Sequence, residues 1–209
     1  MLPVRVFYAK DENVSYISHL DLQRSVFRAI NRSGLNPVYT EGFNPHIKAT
    51  FACPLSVFQK SGYEIFDFFV HDELSYEEIT QRLKTAFPRG LEVIKAEIPV
   101  KDLKEIALAD YVINLKTPLT AEDIENMLSG KIDVVKKTKK GDVLTDISPL
   151  IKSKTFVKEE NGVKLYIRCA CGTGEHLNLR YLIEFLSDSV TDYDIIRNML
   201  YDGDGNIFC

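Results

Sequence analysis

The stretch Ser18–Pro54, SHLDLQRSVFRAINRSGLNPVYTEGFNPHIKATFACP, holds a change of hydrophobic period on which the fold reading rests. From Ser18 to Ser33 the apolar residues recur at helical spacing. Leu20, Leu22, Val26, Phe27, Ala29 and Ile30 share one broad face, and Gly34 ends the run. Ser18 is placed to cap this helix by accepting from the Asp21 N–H, with the Asp21 carboxylate able to reach back. Beyond it the period drops to two. A strand near Tyr39 leads into a turn at Gly42-Phe43-Asn44-Pro45, and a second strand runs from His46 to Ala52.

Working outward, Val4–Lys10 reads as a strand before the helix. Tyr63–His71, Ser75–Phe87 and Leu91–Pro99 read as strand, helix and strand after it. The order is β-α-β-β-α-β, that of a ferredoxin-like unit. Lys101–Leu108 is charged and reads as a linker or short helix. The order then repeats: strand Tyr111–Lys116, helix Thr120–Leu128, a hairpin of Asp133–Lys139 and Val143–Ile147 across Lys140-Gly141-Asp142, strand Gly162–Cys171, helix Leu177–Leu186 and strand Tyr193–Leu200. The expected fold is α+β, with two tandem ferredoxin-like (βαββαβ) domains at 1–100 and 101–209. The second has one strand too many.

Length and composition agree with this. A chain of 209 residues suits two small domains, and 45% hydrophobic with 27% charged residues supports a packed core. No apolar run approaches the ~20 residues that span a bilayer, and the first residues lack a signal-peptide layout, so a cytoplasmic location is expected. Four cysteines make no disulfide framework. Cys169 and Cys171, as C-x-C on a strand, point to one face; they read as small buried residues or, less simply, as a metal pair. Cys53 and Cys209 stand alone. The net charge of −4 argues against wrapping nucleic acid nonspecifically, yet leaves room for local basic stripes.

Two such stripes are visible. Arg24, Arg28 and Arg32 form an i, i+4 row opposite the apolar helix face, fit for phosphates or an acidic partner, or simply a solvated face. Lys136, Lys137, Lys139 and Lys140 crowd the hairpin of the second half. His19 points toward the apolar side of the first helical turn, where the helix dipole disfavours imidazolium. It is either a base or ligand, or a core histidine that fixes the loop. In Tyr39–His46, Gly42 and Pro45 shape a bend, with Phe43 as its plug in a purely structural reading. Glu41, Asn44, His46 and Lys48 exceed what a bend needs, and alternation puts His46, Lys48 and Thr50 on one face with Ile47, Ala49 and Phe51 on the other.

Ser18-His-Leu-Asp-Leu, Arg24, Arg28-Ala29, Arg32, Gly34-Leu35, Glu41-Gly-Phe-Asn-Pro-His, Lys48, Phe51-Ala52, Pro54-Leu55, Ser61, Glu64 and Asp67 resemble, in order and spacing, the radical-SAM-linked protein family. Lys136-Lys137-Thr138-Lys139-Lys140-Gly141 and Asp146-Ile147 are the later echo. Ile47 stands where that family shows a second proline, and Phe58 where it shows glycine. The family is a domain of unknown function found fused to, or encoded near, radical S-adenosylmethionine proteins. The resemblance therefore implies a radical SAM protein as partner.

No C-x-x-x-C-x-x-C run is present for the radical-SAM cluster, and no Walker loop, G-x-S-x-G or H-E-x-x-H occurs. Asp202-Gly-Asp-Gly-Asn206 imitates an EF-hand start but has Ile207 where glycine is required, and reads as a turn or frayed end. The chain is thus expected to work without a cofactor or metal of its own. Three functions follow. One is an accessory module that presents RNA or a nucleotide-like substrate to a partner enzyme, using the arginine row, the lysine hairpin and Phe43 or Tyr39 as stacking platforms. Another is a metal-independent endoribonuclease with His19 or His46 as base and Lys48 or Arg24 as oxyanion stabiliser. The third is a protein–protein adaptor. A metal held by His19, Glu41 and His46 is a minor variant.

Overall fold

Val4, Val6 and Tyr8 alternate with Arg5 and Phe7 along β1 (Leu2–Lys10), and all five are buried. A strand covered on both faces belongs inside a sheet with packing above and below it. The computed structural model, which describes residues 1–138 and 141–209, places β1 in this way. After β1 come α1 (His19–Arg32), β2 (Ala49–Phe51), β3 (Gln59–Val70), α2 (Tyr76–Ala86) and β4 (Leu91–Glu97). They form the antiparallel order β4-β1-β3, with β2 on the outer edge of β3.

The second half contributes β5 (Ile106–Lys116), α3 (Ala121–Met127), β6 (Asp133–Thr138), β7 (Gly141–Asp146), β8 (Ile151–Glu159), β9 (Gly162–Ala170), α4 (Leu179–Leu186) and β10 (Asp192–Asp202). Its strands run β10-β5-β9-β8, while β6 and β7 pair only with each other. With that hairpin set aside as an insertion, the second half repeats the strand order of the first.

The two halves share one sheet. β2 covers only Phe66–Phe68 of β3. The start of β3 stays open, and β10 pairs there in parallel, Gln59 with Ile195 through Ser61 with Arg197. Two cores result. On the first, Val26, Ile30, Ile79 and Leu83 pack from α1 and α2 onto Val6, Phe66 and Phe68. On the second, Ile124, Leu182 and Leu186 pack onto Ile113, Leu165 and Ile167. Each such side chain contributes roughly 1.5–3 kcal/mol on burial.

The opposite face of the first half is covered by the last residues. Tyr63 Oη donates to the Phe208 carbonyl at 2.9 Å, and Arg5 lies 5.0 Å from the Phe208 ring while donating to the Cys209 carbonyl at 3.0 Å. The segment after Asp202 is therefore no frayed end: the Asp202 carboxylate accepts from the Asp204 and Asn206 N–H groups, forming the expected turn, and Phe208 is fully buried.

The α+β class and the positions of the four helices among the described residues agree with the sequence reading. Three elements differ. The strand near Tyr39 is a single bridge to Ile47, and the regular strand after it shortens from His46–Ala52 to Ala49–Phe51. Lys101–Leu108 holds the short helix expected there, a single turn at Leu103–Glu105, but β5 already begins at Ile106. β8 was not expected at all. It is an edge strand with few buried residues, so Ile151–Glu159 shows little of the alternation that a half-buried strand displays. Among the described residues no helix is long and apolar enough to cross a membrane.

Candidate functional site

Among the described residues, two gatherings of polar side chains bear most directly on a site. The first is an exposed hairpin, 37–48, that leaves the sheet beside the end of β3. Val38 N–H donates to the Phe69 carbonyl, Lys48 N–H to the Val38 carbonyl and Thr40 N–H to the His46 carbonyl, each at 2.8 Å. Ile47 is buried beneath it, while His46, Lys48 and Thr50 face solvent as alternation requires. At the tip Gly42 has φ +116°, a conformation glycine accepts without strain. Phe43 next to it is fully exposed and plugs nothing, which corrects the structural reading of that ring. Glu41 and Asn44 are also exposed. His46 Nδ1 lies 3.2 Å from Thr40 Oγ1 and 3.3 Å from the Asn44 carbonyl. Tyr39 donates to Asn31 of α1 at 2.9 Å, and the Lys48 ammonium sits 5.5 Å from the Phe69 ring.

Helix α1 lies behind this hairpin. Ser18 caps it as expected, but its hydroxyl also donates to the Asp21 carboxylate at 2.7 Å, so the carboxylate does not close a full capping box. The arginine row is divided among different partners. Arg24 pairs with Asp21 at 3.1 Å, Arg32 donates to the Ala86 carbonyl at 2.9 Å, and Arg28 is exposed. Leu20, expected on the apolar face, is exposed. His19 turns inward. Its ring stands edge-on to Phe51 at 5.6 Å, Nε2 lies 3.0 Å from Gln23, and burial holds its pKa below the usual histidine range. It is therefore a neutral, packed imidazole.

The second gathering is buried at the middle of the sheet, where β3 meets β10. Arg197 grips Glu64 with Nε and Nη2 on Oε1 at 2.9 and 2.6 Å, and Nη2 on Oε2 at 2.5 Å. Both side chains are essentially inaccessible. Arg197 Nη1 also reaches Tyr111 Oη at 3.5 Å and Cys171 Sγ at 3.7 Å. Ser61 donates to the Arg197 carbonyl at 3.1 Å, and buried Lys10 donates to the Ser15 carbonyl at 3.1 Å. Burial, only partly offset by Arg197, holds the Glu64 carboxyl above its ordinary value. Donation to both of its oxygens marks it as a carboxylate. Burial would push the guanidinium down, but Glu64, Tyr111 and Cys171 hold it well above its ordinary value. Lys10 is pushed down, first by burial.

This chain matches the family described as "Uncharacterized protein conserved in bacteria (DUF2344)" over residues 4–180. It belongs to that family. No curated protein matches it. A solved structure described as "Crystal Structure of an Unknown Protein from Galdieria sulphuraria" is similar at 13% identity over 94% of this chain and 98% of that chain, with a TM-score of 0.29.

In this DUF2344 chain the expected site residues do not all converge. Tyr39, Glu41, Phe43, Asn44, His46 and Lys48 share the hairpin. His19 and His46 have different partners, and among the described residues no group of three or more His, Cys, Asp or Glu side chains could hold a metal ion, so His19, Glu41 and His46 do not form one. Lys136 lies 5.6 Å from the Tyr181 ring in the second half, and Lys137 is exposed beside it; Lys139 and Lys140 lie outside the described residues.

The mid-sheet network was not anticipated from the sequence, although a signal for it existed. In GYEIFDFFV, alternation puts Glu64 on the same side as Phe66 and Phe68. In DIIRNML it puts Arg197 beside Ile195. A charge at an inward strand position implies a buried partner.

Proposed function

We propose that this chain is a non-catalytic accessory protein of the radical-SAM-linked type, which binds RNA or a nucleotide-like substrate and presents it to a separate radical-SAM enzyme in the cytoplasm. On this reading its halves are two ferredoxin-like units fused edge to edge. The observation that carries the proposal is Phe43, a fully exposed aromatic ring at the tip of a braced hairpin. Exposed aromatics among hydrogen-bonding side chains offer a base a stacking platform, and Asn44, His46 and Lys48 supply donors and acceptors beside it. Arg24 and Arg28 add exposed positive charge on α1. The test is fluorescence anisotropy with a labelled single-stranded RNA. Phe43→Ala is expected to weaken binding roughly tenfold, and an Arg24→Ala/Arg28→Ala variant to flatten its salt dependence. Binding that ignores both salt and these substitutions refutes the proposal.

A second reading, a protein–protein adaptor, is favoured by a different surface. The Phe58 N–H donates to the Ser15 carbonyl at 2.8 Å, which brings the segment after β2 against the turn before α1. Tyr16, Val57 and Phe58 are exposed on these two segments, and Leu20 is exposed in the first turn of α1. Loss of a co-purifying protein from Leu20→Glu or Phe58→Glu, with RNA binding intact, would support this reading over the first. The endoribonuclease alternative requires cleavage in EDTA that depends on His19 or His46.

A further inference from the structure

Cys53 and Cys171 are 118 positions apart, yet they meet where the two halves join. The Cys53 thiol donates to the Cys171 carbonyl at 2.7 Å. Cys53 is half-buried and therefore within reach of a small reagent, whereas Cys171 is sealed. The backbone at Cys53 has φ +33°, a strained conformation for a side-chain-bearing residue, in the segment that connects β2 to β3.

The surroundings favour negative charge on Cys171. Arg197 Nη1 lies 3.7 Å from its sulfur and Tyr111 Oη 3.9 Å. The dry centre of the sheet also carries two buried cations, Lys10 and Arg197, against the single carboxylate of Glu64. An anionic sulfur restores the balance that burial of unpaired charge demands. The neighbouring Cys53 thiol, opposed by burial and aided by His176 and Arg197, lowers the Cys171 pKa well below the thiol range, and Cys171 in turn raises that of Cys53.

We propose that Cys53 and Cys171 form a reversible dithiol–disulfide pair, oxidised by a low-molecular-weight disulfide, that pins the segment after β2 to the second half of the molecule. In the first step Cys53 gives its proton to the Cys171 thiolate while its sulfur attacks one sulfur of the reagent RSSR. The reagent's S–S bond breaks, and RS⁻ leaves. In the second, Cys171 loses that proton to the released RS⁻ and attacks the Cys53 sulfur. The mixed disulfide breaks and a second RS⁻ departs. Two protein sulfurs are oxidised, two reagent sulfurs are reduced, and one proton and one negative charge are conserved.

The test treats the full chain with glutathione disulfide, alkylates it under denaturing conditions and maps the peptides by mass spectrometry. The expected result is loss of two of the four thiols, a linked Cys53–Cys171 peptide, and recovery of both thiols with dithiothreitol. Cys53→Ser, a change at a half-buried site, should leave Cys171 fully alkylatable after the same treatment. Oxidant-treated protein in which Cys53 and Cys171 both remain alkylatable overturns the proposal. So does a bond that joins either of them to Cys169 or Cys209, or oxidation of Cys171 at an unchanged rate in Cys53→Ser.

Discussion

The hairpin 37–48 and the mid-sheet network around Arg197 are both rich in polar side chains, but they are built in opposite ways. The hairpin's residues are neighbours in sequence and stand in solvent, where most could change without disturbing the packing. The network draws on β1, β3, β5, β10 and the residue after β9, and it is shut away from water. Its interactions are strong because the surroundings are dry, and for the same reason none of its members can be removed alone. One region is free to make contacts; the other fixes how the two halves of the sheet join.

Substitutions can sharpen or break that contrast. The largest effect is expected from Glu64→Ala, which leaves the Arg197 guanidinium buried and uncompensated. Urea denaturation should show a loss of about 3–5 kcal/mol. Replacing both partners, as Glu64→Leu with Arg197→Met, should cost much less, because no lone charge remains. If Glu64→Ala is as mild as a surface change, the network is not what joins the halves.

A smaller loss, about 1 kcal/mol, is expected for Ser18→Ala, which removes the cap of α1 and leaves its first N–H groups to solvent. The third test is an acid titration. Lys101, together with the Asn206 N–H, holds the Asp202 carboxyl at about 2, below its unfolded value of about 3.9. A depressed carboxyl contributes stability that is complete above the unfolded value and lost as pH falls through the folded one. Asp202→Asn should therefore flatten the acid limb between about pH 4 and 2. The least effect is expected for Phe43→Ser, within about 0.5 kcal/mol of wild type in the same urea assay. A clear destabilisation there would mean the exposed ring has a structural role after all.

The contrast also explains what could be read from the sequence. The helical period of Leu22, Val26 and Ile30 and the alternation of Ile47, Ala49 and Phe51 are local signals, and they identified α1 and the exposed row of the hairpin correctly. The hairpin's candidate residues were found because they are contiguous. β8 escaped because an edge strand buries too little to impose a pattern. The network escaped for another reason: alternation marks Glu64 and Arg197 as inward charges, but they are 133 positions apart and only the strand order makes them partners. Likewise Cys53 looked solitary until the loop after β9 placed Cys171 beside it.

The late arrival of β10 has a consequence for how the molecule is made. A ribosome releases β1, β3 and β4 long before Asp192–Asp202, so during synthesis the early half has an open edge at Gln59–Ser61 and a Glu64 carboxylate with no guanidinium to meet it. Arg5 likewise waits 204 positions for the Cys209 carbonyl. The nascent early half can collapse around Val26, Phe66 and Ile79, but its final closure depends on β10, which emerges much later. Birth order thus makes β10 the closing stitch of the whole sheet, and a stall before residue 197 would leave that seam open to whatever strand or chaperone reaches it first.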